Sequence, residues 1–407
     1  MSLSLEDIDI TDEDVWADHI PHDQFAFLRA NAPVHRHPGN DRGDRPIADF
    51  WAITRHADVQ VVNRDTTLFS SEQRGVMVSE PDEETTANFR TMLDTDPPAH
   101  TRLRRLVNRG FTPRMVTRFE EHYAQLTSEL LAKAVAQGTF DFVTDVAAEL
   151  PLMAIAELLG VPVEDRHKLF DWSNKLVGNS DPEYVGSPDD ALAAATELYV
   201  YFNQLGETRR ADPGDDIITR LITEVEGDAL GPHEFETFCL LLTVAGNETT
   251  RNATSHGMHA LLEHPEQMQK LRDDPELLDP AIEEILRWAS PVIHFRRTAT
   301  ADTEVGGQAI KEGDALVMYY TSANRDEDVF ASPEVFDITR DPNDHIAFGG
   351  GGAHHCLGAN LARLELQIIF RELLSSTRSI ELAGDVERLR SNFINGIKHM
   401  PVEVELA

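Results

Sequence analysis

The chain has 407 residues, with 36 basic and 71 acidic side chains and a formal charge of −35, which argues against nucleic acid as a partner. Its two cysteines cannot build an iron–sulfur cluster or a structural zinc site. In a chain this long they do not form a disulfide scaffold either, a usage that reads as cytoplasmic. The N-terminus from Met1 to Asp9 is acidic and has no apolar run, so no signal peptide is expected, and no stretch approaches the roughly 20 apolar residues of a membrane span.

No Gly/Ser-rich or Pro-rich linker and no internal repeat divides the sequence, so residues 1–407 are expected to form a single domain. The first strand signal is Asp49–Thr54. Helical periodicity then covers 100–109, 114–137 and 145–159. The stretch 178–190 reads as a surface loop between helices, followed by helices over 189–210 and 215–225. Between Pro232 and Pro265 the pattern predicts a helix over 232–263, near the upper length for a globular protein. A helix over 279–289, strands at Thr298–Val305, Gln308–Lys311 and Ala315–Tyr320, a helix over 357–375 and a strand at Val402–Leu406 complete the reading. The fold class is mainly α with a small β-sheet region.

One segment departs from the acidic background. Between Arg102 and Arg118 lie six arginines (Arg102, Arg104, Arg105, Arg109, Arg114, Arg118) and no acid. Such a basic face is either a docking surface for an anionic partner or a solvated helix side.

The most informative run is His345 to Arg363. Glycines 349–352 form a loop that neither helix nor strand would keep, and Cys356 follows where a helix is expected to begin, with Leu357, Leu361, Leu364 and Ile368 at helical spacing. A thiol there meets free backbone N–H groups and the positive end of a helix dipole, which favours the thiolate. It could be a nucleophile, a disulfide partner or a metal ligand.

Three further constellations bear on that choice. Ala245-Gly246-Asn247-Glu248-Thr249-Thr250 lies mid-way along the long helix, where a glycine costs about 1 kcal/mol relative to alanine and is tolerated when something must approach the backbone. Thr249 can donate its hydroxyl to a neighbour and Glu248 can relay protons; the alternative is a threonine bonded back to its own helix and a glutamate facing water. Glu284 and Arg287, at i and i+3, are either surface decoration or a buried pair joined to a later arginine-bearing strand at Arg340. His100, Arg104, Arg297 and His354 are together able to bind two carboxylates of one cofactor lying over the sulfur.

The loop Phe348–Gly358 resembles the haem-binding signature of the cytochrome P450 superfamily. Its spacing to Glu284-Ile-Leu-Arg287, about 70 residues upstream, and to Ala245-Gly-Asn-Glu-Thr fits that family, and the similarity runs from Asp96-Pro-Pro-Ala-His100 to Asn395-Gly-Ile-Lys398. One departure stands out. The usual loop places phenylalanine seven residues before the cysteine, whereas Phe348 lies eight before Cys356, a longer loop that some actinobacterial members share.

The resemblance implies the P450 fold, with haem between the long central helix and the Cys-loop helix. Cys356 would be the axial thiolate on iron, favouring O–O bond cleavage. His100, Arg104, Arg297 and His354 would hold the haem propionates, and Phe348, Gly349, Gly358 and Ala245 would border the cofactor. Thr249 and Glu248 would be the alcohol–acid pair that delivers protons during dioxygen activation. Glu284, Arg287 and Arg340 would be the structural triad. The implied cofactors are haem b (iron protoporphyrin IX) and O2, with electrons from NAD(P)H through a reductase and a ferredoxin-type donor docking on the Arg102–Arg118 face. The protein is expected to be a cytoplasmic monomer without membrane or nucleic-acid partners.

Pocket positions carried over from relatives are Val76 and Val78, Leu241 and Leu242, Val292, Ile293 and Phe295, and Ile394. His294 is the polar exception, able either to bond a substrate hydroxyl or ketone or to turn into the protein. Ala245-Gly-Asn-Glu-Thr-Thr-Arg-Asn252, Arg287-Trp-Ala-Ser-Pro291, Ser322-Ala-Asn-Arg-Asp326 and Asn395-Gly-Ile-Lys-His399 are similar to an actinobacterial group that hydroxylates steroid side chains and methyl-branched lipids. An apolar substrate oxidised at an unactivated C–H bond is therefore expected, steroid or branched lipid first. A terpenoid or alkyl-aromatic hydrocarbon is the alternative, as is a peroxide-driven or non-catalytic haem-binding relative.

Overall fold

The computed structural model of the protein describes residues 3–40, 46–80, 89–108, 113–187, 189–223 and 228–406, with the backbone alone over 113–119. Helices α1 (Glu13–Asp18) and α2 (His22–Asn31) precede strands β1 (Val34–His37) and β2 (Phe50–Ile53), then α3 (His56–Arg64), β3 (Phe69–Ser70), α4 (Ala99–Val107), α5 (Pro113–Val135) and β4 (Thr139–Asp141). A π-helical turn at Val143–Ala147 leads into α6 (Glu149–Leu159), followed by α7 (Arg166–Val177), α8 (Asp189–Ala211), α9 (Ile217–Leu221), α10 (Pro232–Glu263), α11 (Pro265–Asp273) and α12 (Leu278–Ala289). The rest comprises β5 (His294–Ala299), β6 (Thr303–Val305), β7 (Gln308–Ile310), β8 (Ala315–Tyr319), α13 (Tyr320–Ala323), α14 (Ala359–Ser376), β9 (Thr377–Leu382), β10 (Glu387–Arg388), β11 (Ile397–His399) and β12 (Pro401–Leu406). Among the described residues no helix is long and apolar enough to cross a membrane.

Several elements differ from the sequence reading. The helix expected over 145–159 is a π turn followed by α6, which begins so that Pro151 falls in its first turn, where its missing N–H removes no bond. The strand expected over 298–305 is two: β5 starts earlier at His294 and ends at Ala299, because all its residues but Phe295 are buried and no alternation marks it. Helix α7 escaped the periodicity because its inward face carries Ser173 and Asn174 beside Leu169, Trp172 and Val177.

The chain packs into two compact units. The first comprises Met1–Arg105, Val292–Val335 and Asp344–Cys356. Its sheet runs β1-β2-β8-β5-β3, antiparallel except for the parallel β2–β8 pair. Alternation along β8 sends Val317 and Tyr319 into a cluster with Trp16, Phe25 and Phe50, and Leu316 and Met318 into one with Val59, Val62 and Phe69. The strand is thus covered on both faces, by α1–α2 and by α3.

The second unit comprises Leu106–Pro291, Phe336–Asn343 and Leu357–Ala407. Helix α10 is its axis. It starts at Pro232 behind Gly231, whose N–H donates to Glu234 Oε2 at 2.8 Å, and stops at His264 before Pro265. Helices α6, α7, α8, α12 and α14 pack on it. A Cβ at Gly246 would lie 2.8 Å from Ile155 Cδ1 of α6, so the mid-helix glycine anticipated from sequence serves the close approach of a neighbouring helix.

Candidate active site

The glycine loop is closed by its own backbone. The Cys356 N–H donates to the Phe348 carbonyl at 3.0 Å, and the Gly349 N–H to the Ile346 carbonyl at 2.9 Å. Gly349, Gly351 and Gly352 have φ of 86°, 92° and 82°, the left-handed region that side-chain-bearing residues avoid. The loop lies on α3: Asn63 Nδ2 donates to the Gly351 carbonyl at 2.7 Å and Arg64 Nε to the Gly350 carbonyl at 2.7 Å. The extra residue is accommodated against that helix, while Phe348 still reaches Cys356.

Cys356 is exposed and forms no disulfide. It does not begin the helix as expected: Gly358 is the N-cap and Ala359 the first residue of α14. The Cys356 N–H is engaged by the Phe348 carbonyl, and the helix is opened by the Ala362 N–H donating to the Gly358 carbonyl at 2.9 Å. A charge on the sulfur is favoured by Arg104, whose own pKa is lowered by burial and held up against that by Cys356.

Around it the first unit gathers four nitrogen-rich side chains. The His100 and His354 rings lie 4.2 Å apart, and His354 Nε2 is 3.2 Å from Ser71 Oγ. Arg297 donates to the Arg296 carbonyl at 2.8 Å and, through Nη2, to Asn63 Oδ1 at 3.1 Å. Its Nε and His100 Nε2 are buried without a hydrogen-bond partner among the described residues. Burial, and then Arg297, His100 and Arg104, depress the His354 pKa to about 2; burial and then Arg104 also lower that of His100. Buried donors packed together in this way lack their anion. Two carboxylates beside a metal held by a thiolate would satisfy them, so the residues fit a haem with propionates. Sequence reading missed Asn63, Arg64 and Ser71; no motif singles them out, since they act through loop carbonyls and a histidine placed only by folding.

In the second unit, α10 is buried along most of its length, but Ala245 is exposed and Leu241 and Thr249 are partly open on the same side. Thr249 Oγ1 donates to the Ala245 carbonyl at 2.8 Å, the bond back to its own helix. Glu248 does not face water. It is almost wholly buried, paired with Arg251, and accepts a hydrogen bond from Ser173 Oγ of α7 at 3.2 Å. Burial raises its pKa, opposed first by Arg251 and then by Ser173. Arg251 also donates to Asn174 Oδ1 at 2.7 Å. A Cβ at Gly358 would meet nothing within 4 Å, leaving open space beside the start of α14.

Glu284, Arg287 and Arg340 come together in the interior of the second unit. Arg287 donates to both Glu284 oxygens at 2.8 Å and Arg340 Nε to Oε2 at 3.0 Å. Arg340 lies in an irregular segment, not on a strand as expected: the Asp337 N–H and Asn343 Nδ2 also turn in to Glu284, at 2.9 and 3.1 Å, which shapes the chain around the carboxylate.

The pocket positions separate by exposure. Val78 and Ile293 are in the apolar core with Trp16 and Phe25, and Val76 is held by its carbonyl, which accepts the Arg296 N–H at 2.7 Å. His294 turns into the protein, its ring 5.7 Å from that of Tyr319. Val292 and Phe295 stay partly open, as does Leu241, while Leu242 and Ile394 are buried. Of the basic face, Arg105 is exposed and Arg102 half-buried; Arg109 lies outside the described residues, as do the side chains of Arg114 and Arg118.

A family model described as cytochrome P450 matches residues 197–389. The steroid C26-monooxygenase of Rhodococcus jostii is 45% identical over 408 residues, covering 99% of this chain and 86% of that protein. The methyl-branched lipid omega-hydroxylase of Mycobacterium bovis is 39% identical over 98% of this chain and 95% of its own length. A Mycobacterium marinum cytochrome P450 solved in complex with pseudoionone superposes with a TM-score of 0.93 at 38% identity, over 99% of both chains.

Proposed function

Because this chain belongs to the cytochrome P450 family and is a monooxygenase of that family, we propose that it hydroxylates an unactivated C–H bond of a steroid side chain or a methyl-branched lipid. The observation that carries the haem part of this reading is the set of buried, unpartnered donors of His100 and Arg297 beside the exposed Cys356. Residues 1–407 act as one catalytic domain, monomeric and cytoplasmic.

The cofactor is haem b, which supplies dioxygen activation with two electrons and oxidation of the bound substrate. Cys356 would ligate its iron. His100, Arg104, Arg297 and His354 would take its propionates; Phe348 and Gly349 in the first unit, and Gly358 and Ala245 in the second, are the positions that the family resemblance assigns to its border. Glu248 holds and passes a proton, and Thr249 orients it: with its own hydrogen given to the Ala245 carbonyl, its oxygen lone pairs are left to accept. Glu284, Arg287 and Arg340 keep the unit folded. Leu241 in the second unit and Val292 and Phe295 in the first keep apolar surface partly open for a substrate, while Val76, Val78, Leu242, Ile293 and Ile394 are buried within their own units. Apolar burial contributes about 25 cal/mol per Å².

A panel of sterols, methyl-branched fatty acids and terpenoids tests the substrate. A high-spin shift and a terminally hydroxylated product are expected with the first two classes. The pseudoionone complex of the Mycobacterium marinum relative favours a terpenoid as the second reading. Product from terpenoids alone would install that reading and remove the first.

Electrons come from NAD(P)H through a reductase and an acidic ferredoxin-type donor docking on the Arg102–Arg118 face. This isolated basic stretch, on a chain of charge −35, would steer such a donor. Arg105→Glu with Arg109→Glu is expected to slow reduction by about tenfold or more at low salt, leaving the substrate-induced spin shift unchanged. Stopped-flow reduction checks this, and wild-type rates would remove the docking face.

A further inference from the structure

The Ser173 hydroxyl sits among three partners. Asn247 Nδ2 donates to its oxygen at 2.9 Å, which leaves the single hydroxyl hydrogen for one of two acceptors. One is the Phe170 carbonyl at 3.1 Å and the other Glu248 Oε1 at 3.2 Å. All three contacts are in the interior of the second unit, where Ser173 and Glu248 are almost wholly buried. A donor with two acceptors at nearly equal distance has two orientations, and the protonation of Glu248 decides between them. Facing a carboxylate, Ser173 gives it the hydrogen. Facing a carboxylic acid, Ser173 accepts the acid's O–H and turns its own hydrogen to Phe170.

We propose that Ser173 is a positioning residue for proton transfer: by reversing its hydroxyl it keeps Glu248 hydrogen-bonded in both protonation states, so that this buried acid can gain and release a proton without leaving its place. The proposal rests on the reading of Glu248 as a proton relay. Without the hydroxyl, the acid loses the group that accepts its O–H and the carboxylate is left with Arg251 as its donor; the bond to the charged form is the stronger of the two, so its loss weighs more. Among the described residues, the charged and titratable groups facing Glu248 are few. Arg251 lies on its own helix, α7 contributes Phe170, Ser173 and Asn174 at this level, and Tyr184 of the 178–187 loop interacts electrostatically with both Glu248 and Arg251. Asp181 and Glu183 of the same loop act electrostatically on that tyrosine. The burial that raises the Glu248 pKa and the Ser173 bond that opposes it act in the direction the proposal needs.

The test is an infrared pH titration of the haem-loaded enzyme, following the protonated-carboxyl stretch that disappears in Glu248→Gln. Ser173→Ala is expected to move its midpoint up by about one pH unit, because a hydrogen bond to the charged form is lost. Ser173→Thr, which keeps a hydroxyl, should return the midpoint to the wild-type value. In parallel, Ser173→Ala should divert a severalfold larger share of NAD(P)H electrons to hydrogen peroxide, while its carbon monoxide spectrum and substrate spin shift stay those of the wild type. A midpoint unmoved in Ser173→Ala, or moved equally in Ser173→Thr, overturns the role of Ser173. Wild-type coupling of NAD(P)H to product in Glu248→Gln instead overturns the relay reading beneath it.

Discussion

Replacing Cys356 by serine is expected to yield a folded protein that has lost its monooxygenase activity and the strongly red-shifted Soret band of a reduced carbon monoxide complex. The fold should survive because position 356 is held by its backbone. Its N–H is bonded to the Phe348 carbonyl, and the glycine loop is tied to α3 by Asn63 and Arg64. The chemistry should not survive. A serine hydroxyl is not ionised near neutrality, so it cannot give iron the negative sulfur that promotes O–O cleavage. The half-buried guanidinium of Arg104, partly balanced by Cys356, would lose that counter-charge. Spectra of purified wild type and variant with matched haem content check this. A red-shifted band retained with serine would remove the thiolate from the proposed site.

Glu284→Ala is expected to cause the largest loss of stability of any single substitution considered, about 3–5 kcal/mol. The side chain has no exposed surface and accepts from Arg287 through two nitrogens, from Arg340, from Asn343 and from the Asp337 backbone. Removing it leaves the wholly buried Arg287 without its counter-ion and the Asp337 N–H without an acceptor. A domain has only about 5–15 kcal/mol to lose. Glu284→Gln keeps the volume but not the charge and should fall near the lower end of that range. Arg340→Ala, which deletes one peripheral donor, should cost less than either. Urea unfolding at fixed haem loading checks the order, and equal midpoints for Glu284→Ala and wild type would contradict it.

These two substitutions mark different relations between sequence and structure. Cys356 was legible because a metal-binding thiol needs a chemically unusual neighbourhood, and four glycines in a row before it have no use in a helix or strand. Glu284 and Arg287 were legible as a helical pair, but their burial was not: an i, i+3 spacing is the same on a surface and in a core. Only the chain from Phe336 to Asn343, turning in to the carboxylate, makes them interior.

By itself the sequence determined the mainly helical class and the long helix between Pro232 and Pro265. It also determined the glycine loop with its cysteine and the family to which these belong, because periodicity, helix stops and a rare residue cluster are local properties of the chain. Tertiary structure alone decided that Gly246 makes room for Ile155, that Cys356 stands ahead of its helix, and that Glu248 turns away from water to Arg251 and Ser173. It also decided that α7 is a helix at all, since Ser173 and Asn174 break its apolar stripe to serve α10. For Gly246, Glu248 and α7 the reason is the same: which polar group or backbone meets which is set by packing between segments far apart in sequence, and a spacing rule carries no information about a neighbour 75 residues away.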